Sequence, residues 1–491
     1  VRLADLAPLL PGAELVGDAD LEVRQVVYDS RRAAPGSLFV AIRGRVTDGN
    51  LYVEQARRKG AAAVASEAAP VAGGAWLRVG DARRALAVLS AAVLGEPARH
   101  LELVGITGTN GKTTTTYLVD AALRAAGRTV GLLGTVSYRI GQEVTEAART
   151  TPESSDLQLL FRRMVDAGCS HAVLEVSSHS LDLQRVHGCP FRVAVFTNLT
   201  RDHLDHHGDM DAYFRAKRAL FDTWLRRDGH AVLNADDDRS AELARVSRGA
   251  VVTYGIERAA DLRAGKLSLS LSGTRFEVET PEGAFRVDSP LLGRFNVSNI
   301  LASLGAARAL GVAPEIALRG FASVTGVPGR MEAIQAGQDF TVLVDYAHTD
   351  DALKKVLESV RELGPRRLIT VFGCGGDRDR SKRPLMGAVV SRLSDVAVVT
   401  SDNPRREPPE AILEEIRRGM NGERGAERHE LVDRREAIAF ALGRARTGDA
   451  VIIAGKGHET TQALRDRSVP FDDRQVAREE LGRLLAGEPR A

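Results

Sequence analysis

Short β-branched runs alternate with longer helical patterns along nearly the whole chain, and that alternation is the strongest constraint on its fold. It predicts α/β architecture with largely parallel sheets. A chain of 491 residues is too long for one hydrophobic core, so several domains are expected. The first, residues 1–98, carries a strand-like run over 37–42 and a helical pattern over 82–94. Gly95-Glu96-Pro97-Ala98 then breaks that helix. The second, residues 99–330, opens on a strand at 101–106, passes a glycine loop, and enters a helix over 113–126 that Gly127 should close. From 266 to 287 the pattern changes to period two: Leu267-Ser268-Leu269-Ser270-Leu271, then Phe276-Glu277-Val278-Glu279. That alternation predicts antiparallel hairpins with one wet face. The third domain, residues 331–491, repeats strand and helix, with strands at 341–345, 368–372, 396–400 and 451–454. Ligands in such sheets bind beyond the carboxyl ends of the strands. Polar, glycine-rich clusters follow three of them, at 373–380, 401–406 and 455–459.

Composition narrows the function classes. Hydrophobic residues make up 44% and charged residues 27%, an ordinary globular balance. Lys and Arg total 67 against 65 acids, a net charge of +2, which argues against nucleic acid or a membrane surface as partner. Cys169, Cys189 and Cys374 have no CxxC spacing, a pattern of reducing compartments rather than of disulfide frameworks or zinc sites. The start Val1-Arg2-Leu3-Ala4-Asp5 shows no basic region followed by an apolar core, so no signal peptide is expected, and no apolar run reaches bilayer length. The expectation is a cytoplasmic protein with no membrane insertion and no obligate protein partner.

The glycine loop is Gly108-Thr109-Asn110-Gly111-Lys112-Thr113-Thr114, set between an apolar strand and a helix. Glycines let backbone N–H groups approach phosphate oxygens, and the helix N-terminus adds its positive dipole end. Lys112 would neutralise the β- and γ-phosphates of ATP, and Thr113 would reach Mg²⁺. The spacing departs from the common GxxxxGK[ST], because residue 106 is Ile.

This shortened loop with its run of threonines resembles the Mur ligases and the related folylpolyglutamate synthetases, and the resemblance covers nearly the whole chain. It implies a central P-loop-type ATPase domain with a mostly parallel sheet plus antiparallel hairpins, a C-terminal Rossmann-like domain, and activation of a carboxylate as an acyl phosphate. By the same resemblance, Glu175 in Glu175-Val176-Ser177-Ser178-His179 would hold Mg²⁺, where a strand-end Glu alone reads as a solvated cap. His203, His206 and His207 invite a zinc assignment on sight, but no cysteine or HExxH helix supports it and oxygen ligands suit Mg²⁺ better. The resemblance keeps His203, for a second metal ion. His206 stands where relatives often have an aromatic residue. Lys217 alone reads as a surface lysine. The resemblance instead implies a carbamate, in which CO₂ converts the amine into a metal-orienting anion. Asn296 would touch the nucleotide, Arg330 would reach its phosphates, and Asp345 would lie in the segment that closes over it. Relatives commonly have Pro where this chain has Asp350.

For the substrates, Tyr28 and Ser30, with the stretch Arg45-Val46-Thr47, resemble a uridine-binding first domain. Thr150, Thr151, Ser177 and Arg185 resemble contacts to a muramoyl dipeptide. Leu183 and Arg149 depart from the family pattern. After the third-domain strands come Arg378, then Asp402-Asn403-Pro404-Arg405, then Gly455 and Glu459. Together they resemble a pocket for meso-diaminopimelate. Arg378 and Arg405 can pair with carboxylates, and Glu459 can accept from an ammonium. Lysine or ornithine would bring an unpaired ammonium towards Arg405, a like-charge contact that costs several kcal/mol. The implied reaction joins meso-diaminopimelate to the D-Glu of UDP-MurNAc-L-Ala-D-Glu in peptidoglycan synthesis. The alternatives are the same ligation with L-lysine or L-ornithine, or a folylpolyglutamate-synthetase-like ligase.

Overall fold

The computed structural model describes residues 1–44, 47–420 and 425–487, so Arg45 and Val46 lie outside the described residues. Internal contacts group the chain into two compact units. One is Val1–Asp261 with Ala302–Gly320, and the other is Leu262–Leu301 with Phe321–Ala491.

The first unit contains two sheets. In the smaller, the order is Glu14–Val16, Ala75–Arg78, Ala61–Ser66, Ser37–Val40, Gln25–Val27, with only the first pair antiparallel. In the larger, six parallel strands run in the order Ala250–Gly255, Leu225–Asn234, Phe191–Phe196, Glu102–Thr107, His171–Glu175, Val130–Leu133. Two antiparallel strands, Ser137–Ile140 and Glu143–Glu146, complete its edge. The strand before the glycine loop is thus central, and Leu103, Leu174, Phe191 and Phe196 are fully buried around it. Each such side chain contributes about 1.5–3 kcal/mol. The helix after the loop spans Lys112–Ala125, and Gly127 follows its C-cap at φ 75°, the left-handed closure expected of it.

In the second unit, six strands run in the order Glu332–Ala333, Thr341–Asp345, Ala450–Ala454, Leu368–Phe372, Val396–Val399, Glu427–Glu430, all parallel but the first. Both faces are covered. Val342 and Val344 pack with Ile438 and Leu481 on one side, while Leu343 packs with Leu357 and Met386 on the other. This two-sided burial is why these strands read as continuous apolar runs. The period-two segment forms the antiparallel strands Leu262–Ser270, Gly273–Thr280 and Gly283–Ser289. Phe276 and Val278 turn inward and Arg275 and Glu279 outward. A register shift between Gly265 and Ser268, with Lys266 at φ 52°, interrupts the first of these strands. Asp350 opens the helix Asp350–Glu362, whose Thr349 cap accepts from the Ala352 amide at 3.2 Å. A first helical position tolerates Pro and also favours an acid, so Asp350 suits the place it takes.

Candidate active site

The phosphate loop is shaped by close packing against the neighbouring strand end. A Cβ at Gly108, φ 148°, would lie 1.8 Å from the Thr197 hydroxyl, so glycine is required there. Asn198 fixes the loop in both directions: its Oδ1 accepts from the Asn110 amide at 3.0 Å, and its Nδ2 donates to the Asn110 carbonyl at 3.1 Å. Thr109 is held by Thr200 and by the Tyr213 hydroxyl. Gly111, at φ 88°, caps the helix, and Thr113 and Thr114 are buried in its first turn. Lys112 Nζ donates to the carbonyls of Gly108 and Thr109, at 3.0 and 2.8 Å, curling over the loop that it would leave to meet a phosphate.

Glu175 is buried, not a solvated cap. Its carboxylate accepts from Thr113 Oγ1 at 3.1 Å, from the Thr135 amide at 2.8 Å and from the Thr135 hydroxyl at 3.0 Å. Its carbonyl accepts from Thr151 Oγ1 at 2.8 Å. From there the predicted acceptor residues follow as one chain. Thr150 meets Thr135, Thr151 meets Ser177, and Arg185 donates to the Thr151 carbonyl at 3.0 Å. Glu153, mostly buried, pairs with Arg185 at 2.8 Å and with Arg149 at 2.7 Å. In the connections after strands of the smaller sheet, Tyr28 donates to Asp156 at 2.8 Å and Ser30 to Gln55 at 2.7 Å, while Thr47 lies against Tyr52.

Lys217 is also buried, which corrects the reading of it as a surface lysine. Packing of the helix Met210–Ala219 turns Tyr213, Phe214 and Lys217 inward. Lys217 Nζ donates to the Gly108 carbonyl at 2.8 Å and sits 4.4 Å from the centre of the Tyr213 ring. Burial, reinforced by the nearby Lys112 charge, holds its pKa well below the usual lysine range. His203, in a left-handed conformation at φ 53°, stacks edge-on to His179 at 4.8 Å. Burial lowers the pKa of His203 and pushes that of His179 down to about 4. Neutral imidazole is the form that can ligate a metal. His206 pairs with Asp182 at 2.8 Å.

In the second unit, the Arg330 guanidinium lies 4.7 Å over the Tyr346 ring. Buried Asp345 accepts from the amides of Met331 and Ala347, and burial raises its pKa. Asn296, in the helix Arg294–Ala309, donates to the Leu292 carbonyl just before that helix and accepts from Asn299 within it. The three strand-end clusters form one connected set. Arg405 Nη1 donates to the Gly376 carbonyl at 2.8 Å, and the Gly376 amide donates to the Asn403 carbonyl at 2.9 Å. A Cβ at Gly376 would meet the Pro404 carbonyl at 1.9 Å, and one at Gly375 would meet Arg405 Nη1 at 2.9 Å. Asn403 Nδ2 donates to Glu459 at 2.8 Å, while Asp402 is buried below Gly455. Arg378 is exposed on the first loop.

Sequence reasoning missed Thr135, Glu153, Asn198 and Tyr213 as parts of these networks. Asn198, opening a polar stretch directly after a buried strand, carried a usable signal, whereas Thr135 carried none.

Family models match along the chain: the Mur ligase family catalytic domain over residues 22–102, the Mur ligase middle domain over 106–307, and the Mur ligase glutamate ligase domain over 329–457. Among curated relatives, a UDP-N-acetylmuramoyl-L-alanyl-D-glutamate--2,6-diaminopimelate ligase of Solibacter usitatus is 49% identical over 94% of each chain. Its counterpart from Geobacillus kaustophilus is 45% identical over 97% of this chain and 99% of its own. A solved structure of a ligase of the same name superposes with a TM-score of 0.71 at 33% identity, covering 99% of both chains. The MurF ligase from Thermotoga maritima in complex with ADP shares the fold, with a TM-score of 0.62 at 22% identity over 96% of this chain and 98% of its own.

Proposed function

The chain belongs to the Mur ligase family, and from that premise we propose how its residues carry out the reaction. It is an ATP-dependent ligase of peptidoglycan precursor synthesis that adds 2,6-diaminopimelate to UDP-MurNAc-L-Ala-D-Glu. The observation that carries the assignment of roles is the position of Glu175. Its side chain holds Thr113 of the phosphate loop, and its carbonyl holds Thr151 of the acceptor set. One residue therefore links the loop proposed to hold ATP to the residues proposed to hold the acceptor.

In our reading the D-glutamyl γ-carboxylate attacks the γ-phosphate of ATP, giving an acyl phosphate and ADP. The amine of meso-diaminopimelate then attacks the acyl carbon and phosphate leaves. Lys112 stabilises charge on the transferring group, and Arg330 is assigned the same electrostatic task. Arg185, with Thr150, Thr151 and Ser177, orients the acceptor, and Tyr28, Ser30 and Thr47 take the uridine end. The hydroxyl of Thr113 and the carboxylate of Glu175 are oxygen donors of the kind Mg²⁺ takes; the neutral imidazole of His203 would serve a second ion, which a carbamate on Lys217 would orient. When bound, the ion would neutralise phosphate charge. Arg378, Asp402, Asn403, Pro404, Arg405, Gly455 and Glu459 receive the amino acid. Three domains, 1–98, 99–330 and 331–491, are the proposed division, in a cytoplasmic enzyme.

Phosphate release from ATP, measured with each substrate withheld in turn, tests this reading. Release should require both the uridine-linked dipeptide and diaminopimelate. Release that ignores both would contradict it.

A further inference from the structure

Beneath the third strand-end loop lies a lysine to which the reaction assigns no task. Lys456 follows the strand Ala450–Ala454 and is wholly buried. Its Nζ donates to Glu459 Oε2 at 2.9 Å, to Asn403 Oδ1 at 3.1 Å and to the Thr461 carbonyl at 2.7 Å. An ammonium has three protons, and each has an acceptor. Asn403 completes the arrangement: its Oδ1 also accepts from the Ala463 amide at 2.9 Å, while its Nδ2 donates to the same Glu459 oxygen. Glu459 Oε2 therefore takes two donors. Its Oε1 has no hydrogen-bond partner among the described residues, and the side chain is 30% exposed.

We infer that Lys456 is a positioning residue for amino-acid selection, fixing the Glu459 carboxylate so that Oε1 faces an incoming ammonium in one orientation. The inference rests on the proposed assignment of this pocket to the amino acid. Glutamate is a flexible side chain, and pinning one oxygen with a buried cation and an amide removes that freedom before the ligand arrives. The same two donors tie the loop after Ala450–Ala454 to Asn403, on the loop that carries Arg405. A shift of Lys456 would therefore move the ammonium acceptor relative to the guanidinium that meets a carboxylate. A diamino acid with two zwitterionic ends depends on that spacing more than ATP does.

Steady-state kinetics of the full chain with Lys456→Met test this. The KM for meso-diaminopimelate should rise on the order of 10²-fold, with the KM values for ATP and the uridine-linked dipeptide within about threefold of the parent. Glu459→Gln should raise the same KM, and the double variant should be no worse than the poorer single one, because both changes remove one interaction. An unchanged diaminopimelate KM in Lys456→Met, or an equal rise for all three substrates, overturns the inference. If Glu459→Gln alone leaves that KM unchanged, the pocket assignment itself falls and the inference with it. If Glu459→Gln raises it while Lys456→Met does not, the assignment stands and only the role of Lys456 is rejected. Should Lys456→Met not fold, Lys456→Gln, which keeps a donor without the charge, is judged by the same criteria.

Discussion

Lys217 in the first unit and Lys456 in the second are both buried beside glycine loops, and they meet the cost of burial in opposite ways. Lys456 has a carboxylate, an amide oxygen and a carbonyl around its ammonium. Lys217 has the Gly108 carbonyl and the face of Tyr213, with no carboxylate at ion-pair distance among the described residues. An isolated buried charge is costly, and a lysine escapes that cost by pairing or by shedding its proton. The paired lysine holds neighbours in place. The depressed one is biased towards the neutral amine, the form that can add CO₂, so its environment supports the proposed carbamate.

Replacing Lys217 is the sharpest way to break this comparison. Lys217→Met should lower kcat by about 10³-fold through loss of the carbamate proposed to orient the metal ion at the phosphates, yet cost only about 1 kcal/mol of stability, since one hydrogen bond is removed. Turnover and urea unfolding of one preparation check both. A large stability loss with little change in turnover would make Lys217 structural.

Arg434 extends the paired class. It and Asp473 are both fully buried, joined by two bonds of 2.7 Å, and Arg434 also donates to the Ala454 carbonyl at 2.9 Å. Arg434→Met should destabilise by about 3–5 kcal/mol by stranding Asp473, and Arg434→Met with Asp473→Leu should recover most of that. Urea denaturation of the three proteins measures it. A double variant no more stable than the single one would reject the pairing argument.

Gly375→Ala probes the same loops more gently. The added Cβ would crowd Arg405 Nη1 and displace the guanidinium. A rise of about tenfold in the diaminopimelate KM, without change for ATP, is expected, and kinetics with each substrate varied would show it.

The smallest effect is on pH. Burial, with Arg330 nearby, pushes His458 down to about 4. Between its ordinary value near 6.5 and that value, the unfolded chain binds more protons than the folded one. Stability from this group is therefore complete above about pH 6.5 and lost as pH falls towards 4. His458→Gln should flatten that part of the curve in thermal melts from pH 4 to 7.

Much of this was legible in the residues. The strand at Thr341–Asp345, the hairpins after residue 262 and the closure at Gly127 follow from local patterning, because each depends on neighbours in sequence. The glycine loop was legible for the same reason. What was hidden depends on burial decided by distant packing. Lys217 reads as a surface residue because its helix has mixed character, and only its neighbours in space turn it inward. Thr135 reaches Glu175 across 40 residues of sequence, and Lys456 reaches Asn403 across 53. No spacing rule encodes such contacts. The register shift at Lys266 was likewise invisible in the alternation around it.

The most direct test of the account is the product itself. Mass spectrometry of the uridine-linked product, formed with ATP and Mg²⁺ and equal concentrations of meso-diaminopimelate, L-lysine and L-ornithine, reads the amino acid chosen. The account predicts the diaminopimelate tripeptide as the dominant product, and a shift towards the other amino acids in Arg405→Ala. A dominant lysine or ornithine product from the unaltered chain would contradict it.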